Sequence, residues 1–162
     1  IAGGAFTAAG SNLCAFVARL TTTCPATATT FANGCPSAGG NNLLTATALP
    51  WAEGTLRVQA TGVPTTCYGF GVISLAPLVP AFALATAIPE GVRGSGLRGG
   101  PHFLDSRFTT TGVLDAEMSG LNVPPIVGVQ FYYQMAVLEI DQSMAFVALT
   151  STNALQLTVG SF

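Results

Sequence analysis

One stretch of the chain has the glycine spacing of a nucleotide-binding loop. In RGSGLRGG, residues 93–100, Gly94, Gly96 and Gly99 form the pattern G-x-G-x-x-G. In a dinucleotide-binding fold this pattern follows a buried strand and opens a helix whose N-terminus meets the pyrophosphate. Here Pro89, Glu90 and Gly91 follow the preceding apolar run, and a glycine–proline pair stands where the helix would begin. We therefore interpret residues 89–101 as a long exposed loop, in which glycine supplies positive φ angles.

The remaining residues that could do acid–base chemistry do not form a catalytic pattern. The single histidine, His102, is close in sequence to Asp105 and Ser106, but a catalytic triad must converge in space beside an oxyanion hole, and neighbours on one strand seldom do so. Paired carboxylates for glycoside hydrolysis would need a defined separation that a sequence does not give. The candidates, Glu53, Glu90, Glu117 and Glu139, are more simply solvated charges. We predict that the protein is not an enzyme and has no cofactor.

The four cysteines lack the spacing of a metal site. Cys14, Cys24, Cys35 and Cys67 contain no C-x-x-C pair, and one histidine is too few for zinc, so no metal is predicted. In a lysine-free chain rich in alanine, threonine and glycine, four cysteines indicate two disulfides, for which three pairings exist. We favour Cys14–Cys24, which closes a hairpin-sized loop, together with Cys35–Cys67, which ties two strands.

The segment TTTCPATATT, residues 21–30, concentrates threonine hydroxyls around one proline. In a secreted protein such a segment carries O-linked sugars, and a threonine-rich edge strand is an equally good interpretation. The candidate acceptors are Thr21, Thr22, Thr23, Thr27, Thr29 and Thr30.

Charge is scarce throughout the 162 residues. Only 7% of residues are charged, against about 25% in a typical soluble domain. The five positive charges are all arginines, scattered singly, so no basic patch for nucleic acid exists. The chain begins at Ile1 rather than methionine, from which we expect a removed leader or a cut precursor. These features predict an extracellular or cell-surface location.

Short apolar runs recur every eight to twelve residues and predict an all-β fold. In GTLRVQAT, Leu56, Val58 and Ala60 alternate with polar residues, and NALQLTV does the same. The predicted strands are 13–19, 24–31, 43–48, 54–61, 69–75, 82–88, 103–109, 112–118, 129–139, 144–150 and 153–159. We predict one disulfide-bearing β-sandwich domain over residues 11–162, Ig-like or jelly-roll-like, with an N-terminal extension.

The uncharged run YGFGVISLAPLVPAFALATAI is 21 residues long, enough to cross a bilayer. Two prolines near its middle and two glycines near its start argue against a membrane span. Two buried strands, joined by a turn at APLVP, fit the run better.

Three segments resemble an uncharacterised β-sandwich module found at the C-terminal ends of secreted bacterial proteins, especially planctomycete ones. They are FANGCPSAGG with LLTATALPWAEGTLRVQATGVP, residues 31–64; VGVQFYYQMAVLEID, residues 127–141; and TSTNALQLTVG, residues 150–160. The resemblance implies a secreted, all-β, disulfide-bearing module and brings no catalytic residues. Residues 1–30 and the glycine loop at 89–101 depart from its pattern.

The charge deficit favours a protein whose surface is covered by copies of itself. We expect a structural subunit of an extracellular filament, sheath or surface layer. The arm at residues 1–10 would add a strand to a neighbour's sheet, with Ile1 and Phe6 as anchors at the subunit interface. Such a head-to-tail contact generates fibres.

The alternative is a secreted carbohydrate-binding or adhesive sandwich, with glycans as partners. Its candidate rim consists of Trp51, Tyr68, His102 and the glycine loop. The adjacent tyrosines Tyr132 and Tyr133 point to opposite faces of a strand, so only one of them could belong to a sugar-stacking surface.

Overall fold

The fold is all-β in a computed structural model, which describes residues 2–3, 17–18, 25–100, 103–119 and 126–161. No α-helix occurs in these ranges, and the prediction of an all-β class is confirmed. The strands are β1 (Ala2–Gly3), β2 (Val17–Ala18), β3 (Thr27–Phe31), β4 (Pro36–Ser37), β5 (Gly40–Asn41), β6 (Leu43–Ala48), β7 (Leu56–Thr61), β8 (Cys67–Ser74), β9 (Pro77–Ala83), β10 (Gly96–Gly99), β11 (Phe103–Thr109), β12 (Val113–Met118), β13 (Gln130–Ile140), β14 (Phe146–Ser151) and β15 (Ala154–Thr158).

The larger sheet is built around the 11-residue strand β13. Its strand order is β11-β8-β13-β15-β3, and β14 also pairs with β13. All its pairings are antiparallel. One side of β13 pairs with β8, and the other side pairs first with β15 and then with β14. The last two strands therefore follow one another along the same edge of β13.

The smaller sheet contains three strands in the order β12-β7-β6. Its alternating apolar residues face the larger sheet: Leu56, Val58 and Ala60 of β7 are buried, while Arg57 is exposed. The two sheets share one hydrophobic core. It consists of Leu44, Leu56, Val58, Ala60, Val63, Cys67, Leu114, Ala116, Phe131, Tyr133, Met135, Val137, Leu155, Leu157 and Val159.

Two glycines of β8 let the sheets approach closely. A Cβ atom on Gly69 would collide with the side chain of Leu114 in the opposite sheet. A Cβ atom on Gly71 would collide with the hydroxyl group of Tyr133. Residues 67, 69 and 71 therefore face the core, and Tyr68, Phe70 and Val72 project from the outer face of the larger sheet.

A hairpin of β9 and β10 covers part of that outer face, and here the sequence interpretation was wrong. Residues 77–83 form a strand, not a turn, and Leu84–Thr86 form a short 3-10 helix where a strand over 82–88 was predicted. β9 is also largely exposed rather than buried. Prolines are tolerated in it because β9 pairs with β10 alone, and an edge strand can lack donors on its free side.

The glycine loop is also more ordered than predicted. Gly96–Gly99 form strand β10, so Gly96 and Gly99 lie in a strand and not before a helix. Only Gly94, with a φ angle of 88°, uses the backbone freedom expected of the loop. Gly99 is buried instead, and a Cβ atom there would lie 2.7 Å from the Cβ of Ser74. Its role is close packing of the hairpin on the sheet.

Candidate functional site

Several residues singled out in the sequence lie outside the described ranges. They are Cys14 and Cys24, the anchors Ile1 and Phe6, the threonines Thr21, Thr22 and Thr23, and His102. The Cys14–Cys24 disulfide and the anchoring roles of Ile1 and Phe6 stay predictions.

The predicted disulfide between Cys35 and Cys67 is not formed, because both residues are buried free thiols. The sulfur of Cys35 lies 3.5 Å from Oγ of Ser151, whereas Cys67 belongs to the core between the sheets. The two thiols thus have different surroundings. Burial, and secondly the charge of Glu139, raises the pKa of Cys67 to about 11, so this thiol stays protonated and unreactive at neutral pH.

The remaining threonine candidates all lie on β3, the outermost strand of the larger sheet. Thr27, Thr29 and Thr30 are exposed, and the strand, TATTF, contains neither a charge nor a proline. β3 pairs in regular register with β15 alone. Its other edge therefore presents backbone donors and acceptors that no strand of the described chain uses.

The edge of β6 is closed by a side chain that forms the hydrogen bonds a neighbouring strand would form. Asn153 Oδ1 accepts a hydrogen bond from the backbone N–H of Leu44 at 2.6 Å, and Asn153 Nδ2 donates to the carbonyl of Leu44 at 3.0 Å. Asn153 is 1% exposed. A further strand cannot pair with β6 at this point.

The other edges carry different protection. β9 contains Pro77 and Pro80, which donate no backbone hydrogen bond. β11 and β12 carry charges, which discourage strand addition: Asp105 and Arg107 lie on β11, and Glu117 on β12 forms an ion pair with Arg57 at 2.9 Å. β3 has none of these features.

The first strand has a short partner in its own chain. Ala2 and Gly3 of β1 pair with Ala18 and Val17 of β2 in an antiparallel ladder that is separate from both main sheets. Part of the predicted N-terminal arm is therefore paired locally over two residues.

A cleft of about 270 Å³ opens between the edge strands β11 and β12, where the two sheets separate. We call it the β11–β12 cleft. Its apolar lining consists of Leu56, Val58, Ile73, Ala116 and Met118, and its polar lining of Asp105, Arg107, Glu117, Ser119 and Tyr133. Asp105 Oδ2 and Arg107 Nη2 form an ion pair at 2.8 Å. Both residues have partly exposed side chains, so they lie at the cleft mouth.

Tyr133 reaches this cleft because Gly71 makes room for it. Tyr133 belongs to β13, and its hydroxyl lies against Gly71 of the neighbouring strand β8. Gly71 in turn pairs with Asp105 of β11. Tyr133 is 4% exposed, and it lines the cleft. Burial, followed by the charge of Asp105, raises its pKa to about 12, so the hydroxyl keeps its proton.

A second cleft, of about 350 Å³, lies between the β9–β10 layer and the outer face of the larger sheet. Its lining is apolar and includes Phe70, Phe82, Leu97, Leu138 and Leu149. Large exposed hydrophobic side chains lie on the same hairpin, in the turn before it and near the ends of β11 and β14: Leu75, Val79, Phe82, Phe108, Phe146 and Val147. Apolar surface of this kind marks interfaces.

The structure describes Trp51 and Tyr68 of the expected carbohydrate rim, while His102 lies outside the described residues. Trp51 lies in the loop after β6, where it bridges to Gly160, whereas the ring of Tyr68 packs at 4.9 Å against Phe108 on the outer face of the larger sheet. The prediction for the adjacent tyrosines is confirmed: Tyr133 is in the core, and Tyr132 contacts Phe31 on the other face.

The other catalytic candidates are scattered. Asp105 and Ser106 are adjacent on β11 and point to opposite faces. Among the described residues, no three histidine, cysteine or acidic side chains lie close enough to hold a metal ion. Helices long and apolar enough to span a membrane are lacking in the same part of the chain. The uncharged run from Tyr68 forms β8, β9 and the 3-10 helix.

No sequence pattern indicates that Asp105, Arg107 and Tyr133 share a cleft. One sequence feature does point to this region, namely the C-x-G-x-G alternation at Cys67, Gly69 and Gly71. The two glycines leave one face of β8 without side chains, so that side chains of neighbouring strands can pack against it. Comparison of the chain with models of protein families, with curated proteins and with solved structures finds no match.

Proposed function

We propose that this protein is a structural subunit that self-assembles into an extracellular filament, sheath or surface layer by strand addition at β3. The observation that carries the proposal is the contrast among the sheet edges. Asn153 closes β6, prolines interrupt β9 and charges protect β11 and β12, whereas β3, alone among these five described edges, has none of these features. Native proteins protect their edge strands unless pairing is useful.

The chemistry of the surface supports the same function. The net charge is only −2, so copies repel each other weakly. The exposed phenylalanines Phe82, Phe108 and Phe146 add apolar area that contact between copies would cover. The disulfide between Cys14 and Cys24, the sugars on threonine, the Ig-like or jelly-roll type of sandwich and the secreted location remain parts of this proposal.

The strand donor is the N-terminal arm of a neighbouring copy, residues 1–10. Of this arm the structure describes Ala2 and Gly3, which pair with β2 of the same chain. β3 has five residues with which the arm of a neighbouring copy could form backbone hydrogen bonds. Each such bond contributes a net stabilisation of about 0.5–1.5 kcal/mol. Because donor and acceptor are different parts of the chain, the contact is head-to-tail and grows into a fibre.

The test places charge on the β3 edge. A Thr27→Lys/Thr29→Lys variant should remain dispersed in electron microscopy and sedimentation, whereas the unaltered protein forms polymers. Thr47→Lys is the matched control, since Thr47 is exposed on β6, whose edge Asn153 already closes. Circular dichroism melting checks that each variant folds.

Deletion of residues 1–10 tests the donor separately. The truncated chain should fail to polymerise alone but should still accept the arm supplied as a synthetic peptide. Polymers that form equally well with the lysine pair would exclude β3 as acceptor. An unaltered protein that stays monomeric at high concentration would exclude self-assembly.

A further inference from the structure

We propose that the β11–β12 cleft binds one neutral sugar ring, through Tyr133, Asp105 and Arg107. This site goes beyond self-assembly and does not depend on it, because it lies at a different edge of the fold from β3. It places carbohydrate recognition on residues other than the Trp51 and Tyr68 rim.

The wall of the cleft contains a hydrogen-bond donor. Tyr133 lines the cleft, and its hydroxyl lies against Gly71, a residue without a side chain. A phenolic hydroxyl can donate one hydrogen bond to a ligand oxygen.

The charged side chains at the cleft are paired. The carboxylate of Asp105 pairs with Arg107, and the carboxylate of Glu117 pairs with Arg57. Two negative charges are thus matched by two positive ones. A charged ligand would bring an unpaired charge into the cleft, so the arrangement favours a neutral ligand.

The cleft offers hydrogen-bond acceptors on Asp105 and hydrogen-bond donors on Arg107. A carboxylate accepts only, and a guanidinium donates only. An alcohol does both, and two neighbouring hydroxyl groups on one ring can donate to Asp105 while they accept from Arg107. The distance of 2.8 Å between the two side chains matches such adjacent groups. Hydrogen bonds to charged groups are the stronger ones.

Part of the cleft lining is apolar. The side chains of the lining residues Leu56, Ile73, Ala116 and Met118 contain no oxygen or nitrogen, and a sugar ring has C–H groups on its faces. Small-molecule sites typically combine such a lining with a few placed polar groups. The cleft, at about 270 Å³, lies near the lower end of the range of about 300–1,000 Å³ for ligand pockets, which limits the ligand to about one ring.

The experiment is saturation-transfer NMR on the full chain, which works whether or not the chain is polymerised. Neutral methyl hexopyranosides are the probes, and sodium glucuronate is the charged comparison. We expect millimolar binding of at least one neutral hexoside and weaker binding of glucuronate. Stronger binding of glucuronate, or no transfer to any neutral hexoside, overturns the proposal.

Two tyrosine variants locate the site. Tyr133→Phe removes one hydrogen bond and should raise the dissociation constant about threefold to tenfold. Tyr132→Phe is the matched control, because Tyr132 neighbours it in sequence but lies on the opposite face, and its affinity should be unchanged. Equal binding by both variants overturns the assignment to this cleft. Tyr133→Phe should also melt no lower than the unaltered protein, and a large loss of stability would show that the hydroxyl is structural.

Discussion

The side-chain amide of Asn153 forms hydrogen bonds with both backbone groups of Leu44, which joins the turn between β14 and β15 to the edge of β6. The two residues are 109 positions apart in the sequence, and both are almost completely buried. A single side chain therefore connects the two sheets and occupies an edge that would otherwise be free.

Replacement of Asn153 by alanine should destabilise the protein strongly. It removes two hydrogen bonds and leaves a buried donor and a buried acceptor of Leu44 unpaired, which costs about 2–4 kcal/mol in the free energy of unfolding. Urea denaturation followed by fluorescence measures this loss. Asn33→Ala, at an exposed position, is the control and should stay within about 0.5 kcal/mol of the unaltered protein. A loss below 1 kcal/mol for Asn153→Ala would contradict the closing role.

The two buried thiols give a direct chemical prediction. Because Cys35 and Cys67 are not bonded to each other, iodoacetamide should label both after unfolding without reductant. In the folded protein Cys67 should react far more slowly, since its pKa is about 11 and the residue is buried. Peptide mapping by mass spectrometry reads out both results. Detection of a disulfide-linked pair of peptides containing Cys35 and Cys67 would contradict this prediction and support the disulfide expected from the sequence.

Alternation of apolar and polar residues was enough to predict most strands. β6, β7 and β12 lie within two residues of their predicted bounds, because each has one face in the core and one face outside. β13 also lies within one residue of its predicted bounds, although residues 133–138 are buried on both faces. The same signal fails for β9, which has no buried face of its own and contains two prolines that resemble a turn.

The site could not be predicted in the same way. The cleft depends on Gly71 and Tyr133, which are 62 positions apart by their residue numbers, and on the register that sets Asp105 beside Gly71. Edge protection by Asn153 likewise depends on a distant pairing. Residue types in one sequence do not specify such long-range contacts, whereas local periodicity does specify strands.

The packing of Gly71 against Tyr133 can be tested by a double-mutant cycle. Gly71→Ala places a Cβ atom against the hydroxyl of Tyr133 and should cost about 1–3 kcal/mol by overpacking. Tyr133→Phe alone should cost little. In the double variant part of the loss should be recovered, because the clashing oxygen is gone, and the coupling energy should be at least about 0.5 kcal/mol.

Thermal or urea unfolding of the four proteins gives the coupling energy. Additive effects of the two substitutions would mean that the Cβ atom at position 71 meets something other than the Tyr133 hydroxyl. The same result would weaken the argument that Gly71 directs this hydroxyl into the β11–β12 cleft.

The turn between β13 and β14 should depend on pH through Asp141. Its Oδ1 atom accepts hydrogen bonds from the backbone N–H and the hydroxyl of Ser143 and from the N–H of Ala145, at 2.8, 2.7 and 2.9 Å. The hydroxyl bond of Ser143, and then the N–H of Ala145, lower the pKa of Asp141 below its ordinary value of 3.8. A lowered pKa in the folded state means that the charged carboxylate stabilises the turn above the unfolded-state pKa. This stabilisation is lost as the pH falls through the folded-state value.

The amide signals of Ser143 and Ala145 should therefore stay constant from pH 7 to about pH 5 and shift only below the ordinary carboxylate range. Asp141→Ala should show the shifted amide signals of the open turn already at pH 7. Its free energy of unfolding should be lower than that of the unaltered protein at pH 7. This difference should shrink as the pH falls below 4, because the unaltered protein then loses the same interaction. Asp115→Ala, which removes an exposed carboxylate on β12, controls for the change in net charge. A deficit that persists unchanged at pH 2 would mean that the Asp141 side chain supports the turn by contacts other than its charged hydrogen bonds.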